Sequence, residues 1–162
     1  MGQMKTIADR AIANEEAVPM IIVMPDAWDT WYINQYDGKV PYEDMFFEEL
    51  IPYMEKTYRI RSDKESRAIA GLSMGGFHSL YISANYPDKF DYVGLFSAAI
   101  NRESKGENTY IYKNLEEKLA TQFAAAPKLY FIAIGNADFL YQDNVEFRQL
   151  LDRHGYKYEY AE

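Results

Sequence analysis

Cysteine is absent from all 162 residues, and histidine occurs only twice. Without cysteine there can be no disulfide, thiolate metal site or cysteine nucleophile, though the compartment stays open. No window approaches 18 consecutive apolar residues, so no transmembrane helix is expected. Basic clusters are also missing. The net charge is −8 and the sequence pI about 4.8, which makes the chain a poor nucleic-acid binder and suits a soluble protein. The N-terminal stretch "MGQMKTIADRAIANEEAVP" lacks the continuous apolar segment of a signal peptide. No His, Asp and Glu spacing suggests a metal site, and no cofactor is implied.

The chain has the length of about one domain, and 48% of it is apolar, enough for a core. No repeat, linker or low-complexity tract divides it. Residues 3–14 read as a helix with Met4, Ile7, Ala8, Ala11 and Ile12 on one face. Residues 19–24 are a short apolar run closed by Pro25, which suits a buried strand. A long helix is expected over about 42–58, bent at Pro52. Strands are expected at 67–71, 91–98 and 127–135, and a last one within 156–162. Helices are expected over 74–86, in the second half of 109–123, and over 142–154 with Gly155 as the stop. Strands alternating with helices predict an α/β fold, a mostly parallel sheet with helices on both faces. Active sites in such sheets lie at the carboxyl ends of the strands, here 25–40, 71–76 and 135–143.

Residues 71–75, Gly-Leu-Ser-Met-Gly, spell G-x-S-x-G. Chance alone gives that pattern in ~5% of chains this long, so context must carry the argument. Here the motif ends a strand and opens a helix, as a nucleophile elbow requires. Side chains at Gly71 and Gly75 are expected to clash where strand and helix approach, and Gly76 gives room for packing. Ser73 would be the nucleophile. The Met74 backbone N–H, at a helix N-terminus, would be one oxyanion donor. The plainer alternative is a glycine-rich turn with a capping serine. The acid of such a triad follows the serine in the chain. Asp138, three residues past Gly135, is the candidate, against the alternative of a turn aspartate. Asp143 reads as a cap on the next helix.

The base is harder to find. His78 lies five residues beyond Ser73 on one helix, about 7.5 Å of rise and some 140° of rotation away. His154 sits in the last turn of a helix, where a cation complements the dipole. Without a positioned base a serine hydroxyl is a weak nucleophile. Trp28 and Trp31, with Tyr32 and Tyr36, lie on a loop at the functional edge. They could stack on an aryl ester or a sugar face, or simply pack the loop.

The segments "MIIVMPDAW", "EELIPYMEKTYRI", "RAIAGLSMGGFHSLYISANYPDKFDYVGLFSAAI" and "FIAIGNADFLYQDN" resemble the Putative esterase family of α/β-hydrolases. That family includes feruloyl esterases, often found with xylanases, and is related to S-formylglutathione hydrolases. The resemblance runs over nearly the whole chain. It implies an α/β-hydrolase-like domain over 1–162, with Ser73 as nucleophile and Asp138 as acid. It also implies what the 162 residues do not contain: N-terminal strands ending in a His-Gly loop, and a Gly-Gly-His segment after the last strand. The chain resembles a member trimmed at both ends, with the strand between 19–24 and 67–71 missing. Those two segments are therefore expected either to pair directly or to take a strand from a second chain, as in a strand-exchanged homo-oligomer. The expected activity is a serine carboxylic-ester hydrolase acting on a small-molecule or carbohydrate-linked ester. The alternatives are an inactive hydrolase-fold binding module and an S-formylglutathione hydrolase-type thioesterase.

Overall fold

The computed structural model describes residues 3–26, 42–100 and 114–162. The element order is α1 (Met4–Ala13), α2 (Tyr42–Met45), α3 (Ile51–Thr57), β1 (Ala68–Leu72), α4 (Met74–Asn85), β2 (Tyr92–Phe96), α5 (Leu115–Ala124), β3 (Leu129–Ala133), α6 (Tyr141–Arg153) and β4 (Glu159–Ala161). The four strands form one parallel sheet in the order β1-β2-β3-β4. Each crossover is a helix, so the chain is an α/β protein built from successive βαβ units. None of its described helices is long and apolar enough to cross a membrane.

The core follows from the period-2 pattern of the strands. Val93 and Leu95 of β2 and Tyr130 and Ile132 of β3 point to one face and are buried. There they meet Leu80 of α4, Leu115 and Leu119 of α5, and Phe147, Leu150 and Leu151 of α6 in a single cluster. Crossovers of one hand that step in one direction place their helices on one face, and α4, α5 and α6 share this one. Leu72, Phe96 and Phe131 alternate with the buried positions and remain partly or fully exposed.

α6 ends as its sequence suggests. Gly155 adopts φ 68°, and the N–H groups of Gly155 and Tyr156 donate to the carbonyls of Asp152 and Leu151, a left-handed cap that spares the last turn's orphan acceptors. β2 stops two residues earlier than expected because Ser97 takes φ 41°. A backbone in that region cannot continue a strand.

Three expectations need correction. Residues 19–24 form no strand. Met20, Ile21, Ile22, Val23 and Met24 are all exposed, and β1 is the edge of the sheet. A strand exists only through a ladder, and among the described residues nothing pairs with the outer side of β1. The direct pairing of 19–24 with 67–71 is therefore not made. No residue of α1 is fully buried, and of its apolar face Ala8, Ala11 and Ile12 are half-buried while Met4 and Ile7 are exposed. The long helix over 42–58 is not simply bent at Pro52. It opens into a π-helical turn over Phe46–Leu50, where the Ile51 N–H reaches back to the Phe46 carbonyl. Pro52 then starts the next α-helical segment, where its missing N–H costs little.

At the amino edge of the sheet, Arg67 is held by the Glu55 carboxylate and by the carbonyls of Ser62 and Lys89. This clamp fixes α3 against the start of β1, at the end of the sheet remote from Ser73.

Candidate active site

Ser73 lies between the last residue of β1 and the first of α4. Its backbone takes φ 56° and ψ −115°, a region that costs a non-glycine residue on the order of 1–3 kcal/mol. Three backbone bonds hold it there. The Ser73 N–H donates to the Phe96 carbonyl at 2.9 Å, and the Ser73 carbonyl accepts from Phe77 at 3.1 Å and Ala99 at 3.0 Å. The side chain makes no capping bond to α4, so the plainer expectation of a capping serine is not met. The turn is instead a strained mount for a side chain.

The glycines have unequal parts. A Cβ on Gly71 would lie 2.2 Å from the carbonyl carbon and oxygen of Gly75. One on Gly76 would lie 2.8 Å from the Ala98 Cβ and 2.9 Å from its Cα. A Cβ on Gly75 would meet nothing within 4 Å. The expected clash at Gly75 is thus corrected. What must be bare is the strand glycine that the α4 backbone crosses, because the crossing atoms belong to the backbone of Gly75 and not to its missing side chain.

Met74 opens α4, and its N–H has no acceptor within the helix. It stands at the positive end of the helix dipole. Asp138 follows β3, which runs parallel to β1 with β2 between them, so Ser73 and Asp138 share the carboxyl edge of the sheet. The Asp138 carboxylate accepts the Leu140 N–H at 2.9 Å. Its own N–H donates to the Gly135 carbonyl, and its carbonyl accepts from Tyr141. The turn-aspartate reading therefore describes its local geometry, and a carboxylate pinned by one oxygen can still accept through the other. Asp143 is not the cap of α6: it lies inside the first turn. Burial, and secondarily the charge of Glu146, holds its carboxyl above the usual range.

Neither histidine is at this edge in a position to serve Ser73. His78 is buried on α4 beside Phe77, ring centroids 5.6 Å apart. His154 follows α6, a helix that starts at the functional edge and runs about 20 Å to the opposite one. There it lies 3.5 Å from Glu116 and stacks on Tyr156. Trp28 and Trp31, like Tyr32 and Tyr36, lie outside the described residues. Among the described residues no group of three His, Asp or Glu is placed to hold a metal.

One residue that sequence reasoning missed is Asn144. It stands on the stripe of α6 that carries Phe147, Leu150 and Leu151 into the core, and a polar amide on an apolar stripe was a legible signal.

The family model described as Putative esterase matches residues 1–149. The chain belongs to that family. A xylanase/feruloyl esterase of Xylanibacter ruminicola is 30% identical over 125 residues, covering 75% of this chain and 16% of the relative. A solved ferulic acid esterase is 30% identical and superposes with a TM-score of 0.79, over 98% of this chain and 67% of that one. An S-formylglutathione hydrolase of Staphylococcus aureus is 26% identical with a TM-score of 0.61, over 80% of this chain and 58% of that one. The chain therefore spans about one sixth of the curated relative and about two thirds of the solved ferulic acid esterase.

Proposed function

We propose that this esterase chain carries the nucleophile and acid of a serine carboxylic-ester hydrolase of the feruloyl or acetyl-xylan type. The observation that carries the reading is the backbone of Ser73, held at φ 56° by three hydrogen bonds at the carboxyl edge that also bears Asp138. In the reaction, Ser73 Oγ attacks the ester carbonyl and the Met74 N–H stabilises the oxyanion. The alcohol leaves, and water then cleaves the acyl-enzyme. Asp138 would hold the tautomer of an imidazole base. Within one chain that base is neither His78 nor His154. Trp28 and Trp31 remain candidates for contact with an aryl or sugar group.

The thioesterase alternative draws support from the S-formylglutathione hydrolase likeness. The ester reading is preferred because both the curated relative and the higher-scoring solved structure bear feruloyl or ferulic esterase names. The test, on the chain extended through a Gly-Gly-His segment with an N-terminal strand added, is a fluorophosphonate probe followed by peptide mapping, with methyl ferulate and a glutathione thioester as competing substrates. Modification at Ser73 with faster ester turnover supports the reading. Labelling elsewhere, or a preference for the thioester, overturns it.

The open side of β1 and the exposed run of Val18 to Met24 also support an association in which a strand from a second copy adds to the sheet.

A further inference from the structure

Asn144 is fully buried at 0% exposure on α6. Its Nδ2 donates to two carbonyls at once, Ala98 at 2.8 Å and Leu140 at 3.0 Å. Leu140 is four residues back on the same chain, and its N–H is the group that pins the Asp138 carboxylate. Ala98 belongs to the turn after β2. The next residue, Ala99, donates its N–H to the Ser73 carbonyl, and the Ala98 Cβ and Cα sit against Gly76 at the start of α4. One amide group therefore stands between the segment holding Asp138 and the segment holding the elbow.

The chemistry of the position argues against a purely structural part. Asparagine is a poor interior helix residue because its side chain competes for backbone groups. The Oδ1 of Asn144 is buried with no hydrogen-bond partner among the described residues, a cost that leucine, with the same branching, would not incur. The neighbouring stripe positions are Phe147, Leu150 and Leu151. What leucine could not supply is a pair of N–H donors in one plane, aimed at carbonyls of two different segments.

We propose that Asn144 is a positioning residue: it ties the Asp138 turn to the Ala98–Ala99 turn and so sets the separation of Asp138 from Ser73. The assignment deepens the esterase reading and rests on Ser73 and Asp138 acting together. The bridge itself can be measured whether or not that reading holds.

The experiment is native-state amide hydrogen exchange by NMR on the full chain, comparing wild type with Asn144→Leu and Asn144→Ser. Serine can still bond the Leu140 carbonyl, four residues back, but cannot reach Ala98, so it separates the local bond from the bridge and remains informative if the leucine variant does not fold. Expected is a loss of protection of tenfold or more at Leu140 and Ala99 in both variants, with Leu80 and Ile132 unchanged. A second readout is the Leu140 amide proton shift, which reports the bond to the Asp138 carboxylate and moves upfield when that bond lengthens as the turn moves. A uniform loss across the core would mark Asn144 as a general stabiliser and overturn the proposal. So would wild-type protection at Leu140 and Ala99 in the serine variant. Failure of the fluorophosphonate test at Ser73 would count against the esterase reading and leave the exchange comparison to decide the bridge.

Discussion

Gly71 and Gly75 touch through their backbones: a β-carbon on the first would lie 2.2 Å from the carbonyl of the second, while one on the second would meet nothing. The two glycines of the motif should therefore respond differently to the same substitution. Gly71→Ala forces strand and helix apart at atoms that cannot yield, and a cost of about 1–3 kcal/mol or more is expected. Gly75→Ala should leave stability unchanged or raise it by up to about 1 kcal/mol, since alanine lowers the entropy of the unfolded chain. Urea midpoints for the two variants test this, and equal destabilisation would contradict it.

Ser73 gives a second stability prediction, independent of chemistry. Its φ of 56° is strained for any residue with a Cβ. Ser73→Ala keeps the strain and Ser73→Gly removes it. The glycine variant should be the more stable of the two by about 1 kcal/mol, the relief being partly offset by glycine's larger unfolded-state entropy. A glycine variant no more stable than the alanine variant would show that the turn is unstrained.

The two carboxylates near the start of α6 should separate cleanly. Asp138 follows β3 on the Ser73 edge, while Asp143 is a first-turn residue of the helix. Asp138→Asn should lower any Ser73-dependent ester turnover by about 10²-fold or more, and Asp143→Asn should leave it within about twofold. Asp143 also predicts a pH effect. Its folded pKa is raised, chiefly by burial and then by Glu146, so its protonated form favours the fold. That contribution is present below the unfolded carboxylate pKa and lost as pH rises through the folded value. Asp143→Asn should match the wild type in acid and become relatively more stable as pH passes upward through the carboxylate range. Denaturation midpoints taken across that range test the sign.

Much of this architecture was legible because local patterns and tertiary packing agree. The strand–turn–helix at Ser73 announced itself through Gly71 and Gly76, whose bareness is a packing requirement. The stop of α6 followed from Gly155 at φ 68°. Where the reading failed, a non-local partner decided the outcome. The run from Met20 to Met24 has the composition of a buried strand, but composition cannot supply the ladder that a strand needs. Ser97 ends β2 at φ 41° without a glycine to mark it. Asn144 passed as one polar residue in a mixed helix, because its role depends on Ala98, 46 residues away.

An unpaired edge strand beside exposed apolar residues predicts association. Met24 is 73% exposed and Leu72, at the end of β1, is 68% exposed. Sedimentation velocity at tens of micromolar should show a dimer or larger species. Because Ile22 is not buried within one chain, Ile22→Lys should shift the protein toward monomer without lowering its stability. A wild-type chain that stays monomeric throughout would refute the strand-exchange reading.

The last prediction concerns turnover. On the proposed reading the chain carries a nucleophile, Ser73, an acid, Asp138, and one oxyanion donor, the Met74 N–H, on one edge, while its two histidines lie elsewhere, one buried on α4 and one beyond the far end of α6. Triad groups act as a unit, so a missing base removes most of the benefit of the other two. The chain alone should therefore hydrolyse p-nitrophenyl acetate orders of magnitude more slowly than a version extended through a Gly-Gly-His segment with an N-terminal strand added, and its slow rate should depend little on Ser73. The measurement compares four proteins: the chain, its Ser73→Ala variant, the extended version and the extended Ser73→Ala variant. Serine dependence that appears only on extension would locate the missing base in the added segment. Brisk turnover by the chain alone, abolished by Ser73→Ala, would mean that a base reaches Ser73 within an assembly. His154→Ala mixed with Ser73→Ala would then test whether it comes from a neighbouring copy, since each variant would supply what the other lacks.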